Sequence, residues 1–185
     1  MVLLIIGMVI FFAVHLIPIL SLKDSLMKKW GKIPYMGLFS VVAGIGLGLM
    51  IYGKGTASFV AIWQPFSGAH WVTTIIMLPA IILIVWSHMP SNMKIKLGHP
   101  MLMGVSLFSV GHLFANGDLA SVLLFGSFLI YSLFTIFRLT RTQNANTARV
   151  NVNLWDGLGV VVGIALYMLA FMYHLQITGL AISLA

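Results

Sequence analysis

The sequence predicts an all-α fold, a polytopic membrane helix bundle with six transmembrane helices. Three observations predict it. Of 185 residues, 61% are hydrophobic and 7% charged, and the mean hydropathy is +1.08. So few charges cannot cover that much apolar surface in water. Apolar runs close to bilayer-crossing length occur six times. None alternates like a barrel strand, and lipid offers the backbone no hydrogen-bond partners, so each run is expected as a helix.

The spans are placed at residues 2–20, 35–52, 71–87, 100–116, 119–138 and 157–182, within a single domain, 1–185. The first opens the chain, "MVLLIIGMVIFFAVHLIPIL", with no basic leader and no small-residue cleavage site, so it reads as a retained span. The second carries Gly44, Gly46 and Gly48 and the sixth Gly157, Gly159 and Gly163. Pairs spaced by four, Gly44 with Gly48 and Gly159 with Gly163, would let helix backbones approach closely. The fourth starts at Pro100, a good first-turn residue after His99. Asn116-Gly117 is a helix stop signal, and Asp118 is a good N-cap for the fifth. The polar stretch "RTQNANTARVNVN" before the sixth reads as a mobile loop.

The net charge is +7. The basic residues sit in short loops between spans, which argues against nucleic-acid binding and for membrane topology. Lys23, Lys28, Lys29, Lys32, Lys94, Lys96, Arg138, Arg141 and Arg149 fall on one side, and Lys54 alone on the other. Loops 21–34, 88–99 and 139–156 are therefore expected in the cytoplasm, with both termini outside. There is no cysteine, which removes disulfides, thiolate ligands and covalent haem attachment.

Histidine is the residue type that carries candidate chemistry. His15, His112 and His174 fall inside predicted spans, where a polar side chain is costly and usually faces the bundle with a partner. His70, His88 and His99 lie at span ends, where water and headgroups can satisfy them. Neutral imidazole is a good haem-iron ligand. His99 and His112 cannot grip one haem together, since thirteen residues of helix separate them by about 20 Å. From the cytoplasmic end, His15 is about 7 Å deep, His112 about 18 Å and His174 about 25 Å. His112 and His174 match best in depth. Phe108, Ser109 and Asn116 share the face of His112 and make it aromatic and polar together.

The stretch "GHPMLMGVSLFSVGHLFANGDLAS", residues 98–121, resembles the signature of the NnrU family of membrane proteins. "FFAVHLIPIL", "IWQPFSGAHW" and "YMLAFMYHL" agree with it. The resemblance implies a cell inner-membrane protein linked to denitrification, that is, to nitrite and nitric oxide metabolism. Its plant relative, a zeta-carotene isomerase, is a haem b enzyme. By that resemblance His15 and His112 are the axial ligands of one haem b, and His70, His99 and His174 match the other family histidines. The plant enzyme has a cysteine one turn before the second ligand, where this chain has Ser109. A redox-driven ligand exchange of that kind does not carry over.

Three classes of function follow. The first is a haem protein of the inner membrane, acting in nitric-oxide-linked redox chemistry or isomerising an apolar, lipid-soluble substrate. The second is a cofactor-free accessory or scaffold protein, with the bilayer and another membrane protein as partners. The third is a membrane S-adenosylmethionine-dependent methyltransferase, since "GHPMLMG" is similar to the start of such a cofactor region. Those enzymes use a glutamate pair, and the only carboxylates here are Asp24, Asp118 and Asp156.

Overall fold

The computed structural model describes residues 1–142 and 151–174. Most of the polar loop "RTQNANTARVNVN" and the end of the sixth predicted span lie outside the described residues. The helices described are α1 Val2–Ile19, α2 Lys23–Trp30, α3 Lys32–Gly55, α4 Ala69–His88, α5 Met93–Leu97, α6 Pro100–Ala115, α7 Leu119–Thr142 and α8 Leu154–Met172. Among the described residues β pairing is limited to one isolated bridge, Ala61 with Asp118.

Five helices, α1, α3, α4, α7 and α8, are long and apolar enough to cross a membrane. The chain reads as a multi-pass membrane protein. The fourth of the six expected spans differs. Helix α6 has 16 residues, about 24 Å of helix against a hydrocarbon core of roughly 30 Å. Pro100 sets its start, and the extended backbone of Asn116 ends it before Asp118 starts the next helix. The lysine-rich segments expected as loops instead wind into the short helices α2 and α5, being free of internal Gly and Pro.

The contacts divide the chain into two compact units, Met1–Val60 and Ala61–Ala185. In the first, α1 and α3 run antiparallel at very close range. A Cβ on Gly7 would meet the backbone of Gly46 and Met50 at 2.7 Å, and one on Gly46 would meet Phe11 N at 2.8 Å. A Cβ on Gly53 would press onto the backbone of Leu3 and Leu4. The expected pair Gly44 and Gly48 has nothing within 4 Å. The packing face of α3 is instead set by Gly46 and Gly53, which lie seven residues apart on one side of the helix.

In the second unit α4 is central, with α6 and α8 packed on it and α7 packed on α6. Helix α6 runs antiparallel to α4: Gly104 lies on Ala80 and Ile84, and Gly111 on Met77 and Thr73. Helix α8 is also antiparallel to α4. Gly159 lies on Trp86 and Gly163 on Ile82, as the spacing of four predicts. Lys94 and Lys96 on α5 and Arg138 and Arg141 near the end of α7 therefore sit toward one end of this unit.

A polar latch joins α8 to the end of α4. Asn153 caps α8 by accepting from Asp156 N at 3.0 Å, and Asp156 Oδ2 accepts from Asn153 N at 2.8 Å. Such a cap stabilises a helix by about 1 kcal/mol. The other oxygen of Asp156 accepts from Ser91 Oγ at 2.6 Å and Asn92 N at 2.8 Å. Trp86 Nε1 donates to the Asp156 carbonyl at 2.9 Å. Asp156 was expected at the end of a cytoplasmic loop; it is 3% exposed and lies in the first turn of α8.

Candidate functional site

His112 sits in the last turn of α6. Its Nδ1 lies 2.9 Å from the carbonyl of Phe108, one turn back. A carbonyl only accepts, so Nδ1 donates to it, and in the neutral ring Nε2 is then the acceptor nitrogen. That is the tautomer a metal-ligating histidine adopts. The ring is held by two aromatic neighbours. Phe125 of α7 stacks on it at 4.4 Å and 29°, and Phe108 lies at 4.2 Å.

The peptide carrying His112 is tied to α4. Thr73 Oγ1 donates to the Gly111 carbonyl at 2.7 Å, with the Ala69 carbonyl also in reach at 3.0 Å. Asn116 Nδ2 donates to the His112 carbonyl at 2.8 Å and closes the helix end. Thr73→Val keeps the shape and deletes the donor. It is expected to lower stability by about 1 kcal/mol, read as a drop in the thermal midpoint of the detergent-solubilised protein. An unchanged midpoint would show that the bond is not worth making.

The turn after α6 confirms the expected N-cap and revises the role of its glycine. Asp118 Oδ1 accepts from Ser121 N at 3.0 Å, and Asp118 also takes a short hydrogen bond from Ser121 Oγ. Gly117 is not in a left-handed conformation. Its carbonyl accepts from Ile62 N at 2.7 Å and Trp63 N at 3.1 Å, and a Cβ there would collide with the Trp63 carbonyl. Close approach requires the glycine.

In the first unit, His15 on α1 repeats the local arrangement of His112. Its Nδ1 is 2.7 Å from the Phe11 carbonyl. Phe11 stacks on the ring at 4.0 Å, and Phe39 of α3 lies at 5.1 Å. His88 also bonds back to a carbonyl, Ile84 O at 2.9 Å, but it is exposed at the end of α4. The back-bond alone is thus a habit of helical histidine. What separates His15 and His112 is the aromatic enclosure.

The other expected positions are at the start of α4, at the start of α6 and just past α8. His70 is in the first turn of α4, and His99 is the N-cap residue of α6. Each encloses an Nε2 atom with no hydrogen-bond partner among the described residues. They stand toward opposite ends of the antiparallel α4/α6 pair. His174 lies two residues beyond α8 and is half-buried. Helix α8 packs on α4, whereas the His112 ring faces α7.

Sequence reasoning overlooked the polar seam between α6 and α7. Ser106 and Ser132 share a hydrogen bond at 2.8 Å. Ser109, one turn before His112, is fully buried, and its Oγ has no partner among the described residues. Ser106 and Ser109 at helical spacing in one apolar run, and Ser132 in the next, were the available signal. Among the described residues no three His, Asp or Glu side chains gather to hold a metal ion. A haem does not need such a cluster, because the porphyrin supplies four of the iron's donors and the protein adds one or two.

A family model described as NnrU protein matches residues 3–182. The chain belongs to the NnrU family. No curated protein and no solved structure matches it. Within this NnrU chain, the central motif forms the whole of α6 with both of its caps, and its second histidine is the one enclosed by aromatic rings.

Proposed function

We propose that this NnrU protein is a six-crossing inner-membrane protein that binds haem b, which His112 would hold, with His15 as the second candidate. The observation that carries the reading is the setting of the His112 ring. Its Nδ1 is engaged by the Phe108 carbonyl, and the rings of Phe108 and Phe125 pack against it. An imidazole oriented through Nδ1 in this way fits an iron ligand that would bind through Nε2. When bound, a haem would supply reversible one-electron chemistry and a position for a small gas such as nitric oxide. The chain's own contribution is to hold the imidazole rigid through Thr73, Phe108 and Phe125, and to set the potential by burial. The chemistry served is nitric-oxide-linked redox or isomerisation of an apolar substrate.

Six crossings are supported by the antiparallel course of α6 on α4, which returns the chain to the level of Thr73. A short helix can be matched by local thinning of the bilayer. With α6 crossing, Lys94, Lys96, Arg138 and Arg141 face the cytoplasm together, and both termini face out.

The test is an absorption spectrum of detergent-purified protein from haem-supplemented cells, oxidised and then reduced with dithionite. A Soret band with sharp reduced α and β bands is expected. A colourless, well-folded protein would sink the reading. The cofactor-free accessory protein would then lead, and the exposed back-bonded His88 is the observation that favours it.

A further inference from the structure

Helix α2 is not accounted for by any role of the histidines. It joins two spanning helices, yet it is neither a span nor a loose loop. Residues 20–33 read LSLKDSLMKKWGKI. The chain breaks sharply at both ends of the helix, at Ser21 with φ 59° and at Gly31 with φ 89°. A non-glycine residue rarely takes a positive φ, so the turn at Ser21 is held by its surroundings. Its amide donates to the Pro18 carbonyl at 3.1 Å and closes the end of α1.

The geometry of the hairpin limits how α2 can lie. Helices α1 and α3 pack antiparallel with Gly46 on Phe11 and Gly53 on Leu4, so α3 begins roughly 9 Å beyond the level at which α1 ends. Eight residues of helix span about 12 Å. A helix of that length, with a break at each end, bridges the offset and the gap at the hairpin end. With α1 and α3 crossing the bilayer, that end is at the membrane boundary.

The residues of α2 sort by face in the same sense. At 100° per residue, Leu22, Leu26, Met27 and Trp30 share one arc, interrupted by Lys23 in its first turn, and Asp24, Ser25, Lys28 and Lys29 share the other. Leu26 and Met27 are half-buried, while Leu22 and Trp30 stay 49% and 46% exposed. Ile33, just beyond, is 85% exposed. The surface carries Lys23, Lys28, Lys29 and Lys32 against Asp24 alone.

We propose that α2 is an interfacial helix that seats Leu22, Trp30 and Ile33 in the bilayer boundary and holds anionic phospholipid headgroups with its lysines. The partner is the lipid surface itself. Aliphatic and indole groups favour the headgroup boundary. Lysines there attract anionic lipid by about 1 kcal/mol each. This inference rests on α1 and α3 spanning the membrane, and it is independent of any haem.

Because the chain has no cysteine, single spin labels can be placed cleanly. Full-length protein carrying Ser25→Cys, Trp30→Cys or Val9→Cys is labelled and reconstituted in vesicles of phosphatidylcholine with one quarter phosphatidylglycerol. Accessibility to oxygen and to a water-soluble nickel chelate is then compared. Expected are a lipid-facing label at Val9, a boundary label at Trp30 and a water-facing label at Ser25. Labels at 30 and 25 that are equally water-exposed, with Val9 in lipid, would overturn this proposal alone. A water-exposed label at Val9 would overturn the spanning reading and this proposal with it. In native mass spectrometry the wild type is expected to retain phosphatidylglycerol over phosphatidylcholine. Lys28→Gln/Lys29→Gln/Lys32→Gln should cut that preference at least about fivefold, while Lys94→Gln/Lys96→Gln keeps most of it. A triple variant with wild-type preference would remove the headgroup role.

Discussion

His112→Ala is expected to purify without a Soret band from haem-supplemented cells that give coloured wild-type protein. The substitution removes the imidazole and nothing else that holds α6. Thr73 still reaches the Gly111 carbonyl, and Asn116 still closes the helix end. The fold should survive, so colour and folding can be read separately by absorption and by gel filtration. His15→Ala tests the second candidate of the proposed reading and is expected to keep some haem but with an altered Soret band. His88→Ala is the control, since it shares the carbonyl back-bond but not the aromatic enclosure. Soret bands of wild-type intensity and shape in both His112→Ala and His15→Ala would remove both residues as ligands and turn attention to His174.

Two glycines on α3 should respond to the same substitution with opposite signs. Gly53→Ala places a Cβ on the backbone of Leu4, which is fully buried. Backbone cannot rotate out of the way as a side chain can, so α1 and α3 must separate. Overpacking costs about 1–3 kcal/mol, and this site belongs at the upper end. Alanine returns up to about 1 kcal/mol of helix propensity, leaving a net loss of about 2 kcal/mol. Gly44→Ala meets nothing within 4 Å and collects only the propensity gain. Thermal unfolding in detergent, followed by circular dichroism, should therefore show the midpoint falling for Gly53→Ala and rising for Gly44→Ala. A neutral result at Gly53 would mean that the two helices are held less closely than their backbones indicate.

These glycines show how far the sequence could be read. A spacing of four marks helices that pack closely, and at Gly159 and Gly163 it marked the right face. On α3 the same spacing occurs at 44 and 48, while the contact uses 46 and 53. Nothing in the sequence of α3 says which side faces α1, because apolar residues cover the whole circumference. The helical class, the NnrU relationship, the N-cap at Asp118 and the helix start at Pro100 were legible, since each is written locally. The latch at Asp156 was half legible. Asn153 and Asp156 form a recognisable capping box, but Ser91 and Asn92 are more than sixty residues away and only the fold brings them in. The aromatic enclosure of His112 was visible in part. Phe108 shares its face by spacing, whereas Phe125 comes from the neighbouring helix.

The latch also bears on the order in which the second unit is put together. Helices α4, α6 and α7, with the short α5 between the first two, all lie in the run of chain from Ala69 to Thr142, and their mutual contacts need nothing from α8. As the chain emerges from the ribosome, they can pair while Ser91 and the amide of Asn92 are still bonded to water. The carboxylate arrives only with residue 156. It exchanges those waters for fixed bonds and starts the last helix in the same event, because its other oxygen completes the cap. Docking of α8 is thereby coupled to its own initiation, and a nascent chain ending before Asp156 would leave the α4 groove lined by Trp86 and Ile82 without its cover.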